Sequence, residues 1–424
     1  MDMQFFTGWQ YLLIDVANHW GLDKLIFNER IQWAEDNLEN LEQLAHDRGD
    51  WKEKPLYLKA CMAIRDAQAA KVSGHMVSMD AVCSGMQIMS VLTGCKTGAL
   101  VTGLIDPDVR ADAYTELTAV MSKLLNKDYS SERKRIKNAC MTSLYGSRAE
   151  PIKAFGEDTP ELNAFYQAMV MIAPGACELL TALLDSWQGN ALAHLWTLPD
   201  GFEVRIKTMV EKKARLEVNE IGSSFTYIWY ENEPVERDVK NAANIIHSVD
   251  GYILRSLVRR CNYDVKSVSM ACRLLEAELI ERVFADEEMG LPCEPTTNEM
   301  GHPGIRNYAN LYADTKVSDI GVLRYLDADQ VQHLKTEHIQ KLLRTCRQML
   351  KHSPFEIITI HDDFKCHPNN MNHLRNHYRN ILADLADGDY LSHVFSEIHG
   401  REGQYLKRSD DLGDLIRKSN YALS

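Results

Sequence analysis

The stretch FEIITIHDDFKCHP, residues 355–368, narrows the fold more than any other part of this 424-residue chain. Phe355, Ile357, Thr359 and Ile360 set out a buried strand. Phe364 and Cys366 resume the alternation after His361, Asp362 and Asp363. Successive side chains of a strand point to opposite faces, so the pattern predicts a hairpin whose bend falls at the acids. A buried carboxylate without a partner is costly. Acids at the bend of an apolar hairpin therefore serve either the turn itself or something bound there.

A second run carries the same punctuation. HMVSMD, residues 75–80, is extended through Met79 and ends on Asp80; after CSG a helix is expected over 86–92, with Gly94 free to close it. Elsewhere the periodicity is mostly helical. Segments 11–17, 31–44 and 56–70 read as helices, as does 111–125 behind Asp106 and Pro107. Ser130-Ser131 is expected to cap a helix that has Arg133 in its first turn and Tyr145-Gly146 at its end. Residues 160–187 form a helical region broken near Pro174-Gly175. Two hairpins follow, around Pro199-Asp200-Gly201 and around Gly222-Ser223. Helical pattern returns over 235–261, over 264–352 apart from the loop-like GLPCEPTTNEMGHPG, and over 370–386. The class is α+β, mostly α, with small antiparallel strands.

Composition excludes little. Hydrophobic content of 45% with 25% charged residues is ordinary for a globular chain. No apolar run approaches the ~18–20 residues that span a bilayer, so no membrane partner is expected. The start, MDMQFFTGWQ, has no basic segment of a leader peptide. Ten cysteines without any C-x-x-C spacing point to reduced thiols and away from structural zinc. A net charge of −13 argues against a generic nucleic-acid coat but leaves local fields open. Each basic cluster (Arg133, Lys134, Arg135 and Lys137; Arg205 to Arg215; Arg255, Arg259 and Arg260) reads by itself as a solvated face.

Asp80 and Asp362 share one context, a carboxylate at a strand end. Mg²⁺ prefers such oxygens together with substrate phosphates, and two facing carboxylates can hold two ions. A single Asp at a turn is more simply a turn residue. Arg133, Lys137, Met141 and Tyr145, spaced by four, form one drifting helical stripe. Its cations suit a polyphosphate and its aromatic a base or sugar, while a plain basic face ending in a half-buried Tyr accounts for the spacing equally well.

These residues resemble the single-subunit, T7-like RNA polymerases of bacteriophages and mitochondria. Asp80 to Gln87, DAVCSGMQ, looks like the first palm motif D-x-x-C-S-G-x-Q of that family. Arg133 to Gly146 is similar to its fingers motif, His361-Asp362-Asp363-Phe364 to its second palm motif H-D-S-F, and His247 to Gly251 to its H-S-x-D-G segment. Gly8 to Asn18, Pro199 to Phe202 and Asp414 to Ala422 follow in order. The resemblance implies a right-hand polymerase fold and a DNA-directed RNA polymerase. Two Mg²⁺ ions would bind Asp80, Asp362 and the Ala81 carbonyl. Arg133 and Lys137 would hold the triphosphate, with Lys137 protonating the pyrophosphate. Tyr145 and His247 would sense the ribose 2′-hydroxyl, and Gly146 and Ser147 would lie near the template base. His361 would support the bend. DNA template, RNA product and NTPs would be the partners, with accessory proteins for promoter opening, and the hairpin 214–230 falls where relatives carry a promoter-reading loop.

The domains implied are 1–110, palm with a helical entry; 111–250, fingers with the nucleotide-binding helix 130–146 and hairpins 195–230; 251–263, a palm return helix; 264–352, a helical insertion; and 353–424, palm and tail. The N-terminal domain, thumb and D-x-x-G-R motif of the family have no counterpart here. The nearest resemblance is to the larger subunit of the two-subunit RNA polymerase of N-four-like phages, which implies a second subunit carrying those parts and a setting in the cytoplasm of the infected bacterial host. Asp363 stands where the family usually has Ser; by alternation it is expected on the strand face opposite Asp362. A family A DNA polymerase fits less well, having D-Y-S-Q-I-E and H-D-E at the palm motifs and an aromatic where Met141 stands. The other reading is a non-catalytic nucleic-acid-binding or assembly subunit.

Overall fold

A computed structural model describes residues 3–289 and 301–424, so most of GLPCEPTTNEMGHPG lies outside the described residues. The entry is helical: α1 (Gly8–Ala17), α2 (Phe27–Asp36), α3 (Leu41–Arg48) and α4 (Lys54–Gln68). Thr7 and Gln10 close a capping box at the start of α1, which fixes where that helix begins. The single helix expected over 31–44 is two. Asn37 turns its amide onto the Trp33 carbonyl, competing with the helical ladder, and a 3₁₀ turn at Leu38–Asn40 separates the pieces.

Strand β1 (Val77–Asp80) leads through a sharp turn into α5 (Ser84–Thr93), which Gly94 closes in the left-handed conformation, and then into α6 (Lys96–Val101). α7 (Ala113–Leu125) starts at Asp112, whose carboxylate accepts the Tyr114 and Thr115 N–H groups; Asp106 does not cap it. Nor do Ser130 and Ser131 cap α8 (Arg133–Ser143). They lie in a 3₁₀ turn in which Asp128 accepts the N–H and hydroxyl of Ser130. α8 ends before Tyr145 and Gly146, so those residues occupy the turn beyond it.

α9 (Ala149–Phe155), α10 (Pro160–Ile172) and α11 (Pro174–Asp185) complete the first helical half. Pro174 breaks the ladder between α10 and α11, which bend by 107°. Among the described residues no single helix is long and apolar enough to cross a membrane. β2 (Ala193–Thr197) and β3 (Glu203–Lys207) form one hairpin. β4 (Met209–Val218) and β5 (Ser223–Asn232) form a longer ribbon with Phe225, Tyr227 and Tyr230 exposed. α12 (Lys240–Cys261) and α13 (Val265–Met289) follow, then α14 (Pro303–Thr315) and α15 (Thr336–Met349). The last part holds β6 (Ile358–Ile360), β7 (Asp363–Cys366), α16 (Met371–Asp387), α17 (Tyr390–His399) and α18 (Leu412–Ile416).

β1, β7 and β6 make one antiparallel sheet in that order. Val77, Met79, Phe364 and Cys366 fill its buried face, where Phe364 meets Tyr378 of α16 at 5.3 Å between ring centres. The opening hairpin is therefore not wholly buried. Ile358 and Ile360 stand 49% and 51% exposed on the other face, because β6 is an edge strand and only one side of the sheet is covered.

Among the described residues two apolar cores are present. The larger runs from Phe6 to Leu423, while the smaller is confined to residues 268–349 and joins α13, α14 and α15. His338 is buried beside that smaller core, stacked on Tyr312 at 4.1 Å, and among the described residues neither ring nitrogen has a hydrogen-bond partner. Burial pushes its pKa down to about 3 from 6.5. The folded state thus holds His338 neutral where the unfolded chain protonates it, and stability falls as pH drops below 6.5. Denaturant unfolding is expected to show a loss from this group of about 1.4 kcal/mol per pH unit, absent in His338→Phe.

Candidate active site

The ends of β1 and of the β6–β7 hairpin form the floor of a cavity of about 700 Å³. His361 and Asp362 are the two residues of the hairpin loop, and His361 has φ 56°, the left-handed value that such short loops demand. The Ala81 N–H donates to the Asp362 carbonyl at 3.1 Å, and the Ser424 N–H donates to the Asp80 carbonyl at 3.0 Å. Leu423 also bridges Ala81. The backbone carrying both acids is therefore clamped from two sides. Pairing of β1 with β7 thus brings together Asp80 and Asp362, 282 positions apart in the chain.

Asp80 opens to the cavity, yet the walls displace most of the water around it. That desolvation, with the charges of Asp362 and Asp363, raises its carboxyl to about 7, against a smaller opposing pull from Lys137. Asp363 corrects the expectation from alternation. It pairs with Asp80 in the ladder, so the two share a face, and it lines the same cavity as Asp362. Alternation fails as a guide because Asp362 belongs to the loop and Asp363 opens the strand.

The side wall comes from α7 and α8. Lys137 lines the cavity with its Nζ 5.0 Å from the Tyr114 ring centre, followed by Met141, Leu144 and Tyr145. Arg133 stands apart from them. Its guanidinium pairs with Asp112, which does line the cavity, and its Nε donates to Thr115 Oγ1 at 3.0 Å. Burial works against the charge of Asp112, but Thr115 and Arg133 hold its carboxyl below the usual range. Tyr145 stacks on His247 of α12 at 4.7 Å and 17°, and burial pushes its hydroxyl up to about 12. Gly146 turns the chain behind it with φ 87°. Asp250, one turn beyond His247, has its carboxyl raised by burial and by the nearby Asp362.

Sequence reasoning missed several supports. Asp15, buried in α1, meets His75 Nε2 at 2.8 Å and accepts the Ser78 N–H at 3.3 Å, bracing β1 from below. Gln87, buried in α5, donates to the carbonyls of Thr102 and Ala422 and accepts the Tyr378 hydroxyl. An acid among the apolar residues of α1 was the available signal for Asp15, but its partner lies 60 positions away.

Gly85 permits the approach of Tyr145. A Cβ there would lie 2.6 Å from the Tyr145 hydroxyl, too close for either group to stay. Gly85→Ala is expected to displace the ring from His247, read as shifted Tyr145 and His247 ring resonances with an unaltered circular dichroism spectrum.

Among the described residues no three His, Cys, Asp or Glu side chains gather into a preformed metal site. The donor set is the one a hard divalent cation shares with a phosphate ligand. Two carboxylates share the cavity floor, where desolvation first and the neighbouring acids second oppose the charge of Asp80, and a cation would relieve both.

Fold and cavity together define an α+β protein with an acidic pocket floor and a cationic, aromatic wall. Residues 6–157 match the family model described as DNA-dependent RNA polymerase. The mitochondrial DNA-directed RNA polymerase 1 of Arabidopsis thaliana is 25% identical over 311 residues, covering 60% of this chain and 32% of that protein. The DNA-directed RNA polymerase of Pseudomonas phage phiKMV is 25% identical over 172 residues, covering 33% of this chain and 21% of its own length. The mitochondrial enzyme of Neurospora crassa is 23% identical over 187 residues, 37% of this chain and 13% of that one. The chain thus spans about a third or less of the length of these relatives.

Proposed function

We propose that the chain carries the nucleotidyl-transfer centre of a DNA-directed RNA polymerase, extending RNA on a DNA template from NTPs. The observation that carries this reading is the meeting of Asp80 from β1, Asp362 from the β6–β7 loop, and Lys137 and Tyr145 from α8 and the turn after it, on one cavity. Residues 6–157, matched by the polymerase family model, include three of the four. In this reading the β1–β7–β6 sheet is the palm, 111–250 with the two hairpins the fingers, 251–263 the palm return helix, and 264–352 an insertion. The β4–β5 ribbon, with its exposed aromatics, is the proposed promoter-facing loop.

Asp80 and Asp362, with the Ala81 carbonyl, are the groups that would hold two Mg²⁺. Bound there, the ions would stabilise charge on the phosphates and acidify the attacking hydroxyl. Lys137 holds the triphosphate and donates a proton to the departing pyrophosphate. Arg133 contributes a second cation on exchanging Asp112 for phosphate. The Tyr145–His247 stack presents a hydroxyl and an imidazole to the ribose. Gly146 follows at the turn that faces the template base.

Completion by a second subunit rests on the likeness to the two-subunit phage enzyme. The curated relatives are each named as one DNA-directed RNA polymerase. Both mitochondrial and phage enzymes are among them, and the cytoplasm of an infected bacterial host is the setting we assign. Primer extension on a DNA template, with and without proteins co-purified from the native host, tests the proposal. Ribonucleotides are expected to be preferred. Preference for deoxyribonucleotides would favour a DNA polymerase, and extension unaffected by loss of both acids would leave a non-catalytic role.

A further inference from the structure

The cavity-facing side of the three-stranded sheet holds a third acid whose charge is already matched. Both carboxylate oxygens of Asp363 are engaged. The Ser78 hydroxyl donates to Oδ1, and Lys365 Nζ lies 3.2 Å from Oδ2. Residues i and i+2 of one strand share a face, so Lys365 stands beside Asp363 by construction. Ser78 and Lys365 are also cross-strand partners, as are Asp80 and Asp363, which puts all four side chains on one small surface. Asp363 and Lys365 are equally sheltered, each 24% exposed. Ser78 in turn is held from behind by buried Asp15.

A third free carboxylate here would change the centre. It could swing toward a bound cation, add a ligand, and slow the departure of an ion that must leave with its phosphate. We infer that Lys365 is a positioning residue: paired with Asp363, it keeps the third carboxylate out of the divalent-cation site, so that the site presents two carboxylate ligands. This rests on the metal reading given under Proposed function. The pairing offsets part of the charge of Asp363 at the cavity floor, and the remainder still acts on Asp80.

The test is Mn²⁺ binding to the full chain, read from the electron paramagnetic resonance signal of the free ion, without nucleotide. Lys365→Met removes the counter-charge of Asp363, leaving only the Ser78 hydroxyl on it, and is expected to tighten Mn²⁺ binding roughly three- to tenfold, because a divalent cation then meets one more uncompensated charge. Asp363→Ser leaves Lys365 unpaired and weakens binding by a similar factor. The double variant returns to within about twofold of the parent, since one neutral pair replaces another. A double variant as weak as Asp80→Asn would make Asp363 a ligand and overturn the inference. So would a Lys365→Met chain with native circular dichroism and unchanged affinity; Lys365→Gln repeats the measurement should the Met variant misfold. Asp80→Asn separates the two readings. If it loses Mn²⁺ while Lys365→Met gains nothing, only the role of the pair falls. If it binds Mn²⁺ as the parent does, the metal assignment falls and the role of the pair with it.

Discussion

Asp362→Asn is expected to abolish template-directed incorporation, by roughly 10³-fold or more, while leaving the fold intact. The amide keeps the size and the hairpin loop of Asp362, and the loop is held through its backbone carbonyl by the Ala81 N–H. What is lost is one of two carboxylates at the cavity floor. The same change removes a negative charge that raises the pKa of Asp80, so the variant should be more stable than the parent by up to about 1 kcal/mol. Asp80→Asn is expected to behave alike. Loss of activity together with a raised melting temperature identifies acids placed for chemistry at the expense of stability. Activity within tenfold of the parent in both variants would sink the assignment.

The second large effect lies away from the cavity. Asp200, in the turn between β2 and β3, has a side chain only 3% exposed, and it accepts from Arg255 Nε at 2.7 Å and from Arg259 Nη2 at 3.1 Å. Arg259 also reaches the fully buried Asp319 at 3.0 Å, and the Tyr308 hydroxyl donates to the Asp200 carbonyl. One carboxylate thus joins the β2–β3 hairpin, α12 and the smaller core. Removing the buried Asp200 carboxylate takes the counter-charge from half-buried Arg255 and leaves Arg259 with Asp319 alone. Asp200→Ala is expected to cost about 2–4 kcal/mol, and to separate unfolding of the 268–349 core from that of the rest in urea. Because α12 also carries His247, the variant should lose ribonucleotide selectivity before it loses all activity. A single unfolding transition at the parent's midpoint would refute the coupling.

Much of the local structure was legible. The period-two runs marked β1, the β2–β3 and β4–β5 hairpins and the β6–β7 hairpin, and the breaks at Gly94 and Pro174 stand where read. These are decided by neighbours in sequence: the conformational freedom of Gly, the missing N–H of Pro, the alternation of a pleat. Misreadings were of two kinds. Asn37, Asp112 and Asp128 moved helix ends because a polar side chain can take a backbone partner from several places, and sequence alone does not rank them. Ile360 was read as buried because a period-two pattern shows which residues share a face but not whether anything covers it.

The chain's own order of residues determined that Asp80 ends a strand and Asp362 sits at a hairpin bend, that Lys137 and Met141 share a helical stripe, and that Asp363 and Lys365 share a face. Only the tertiary structure decided that β1 pairs with β7, which puts Asp363 opposite Asp80 and Ser78 beneath it. It alone decided that Arg133 rests on Asp112 and that His75 stands on Asp15. Periodicity is a property of one segment, whereas register, burial and ion pairing depend on which distant segments meet. That choice is made by the whole core, where Val77, Met79, Phe364 and Cys366 leave the water together.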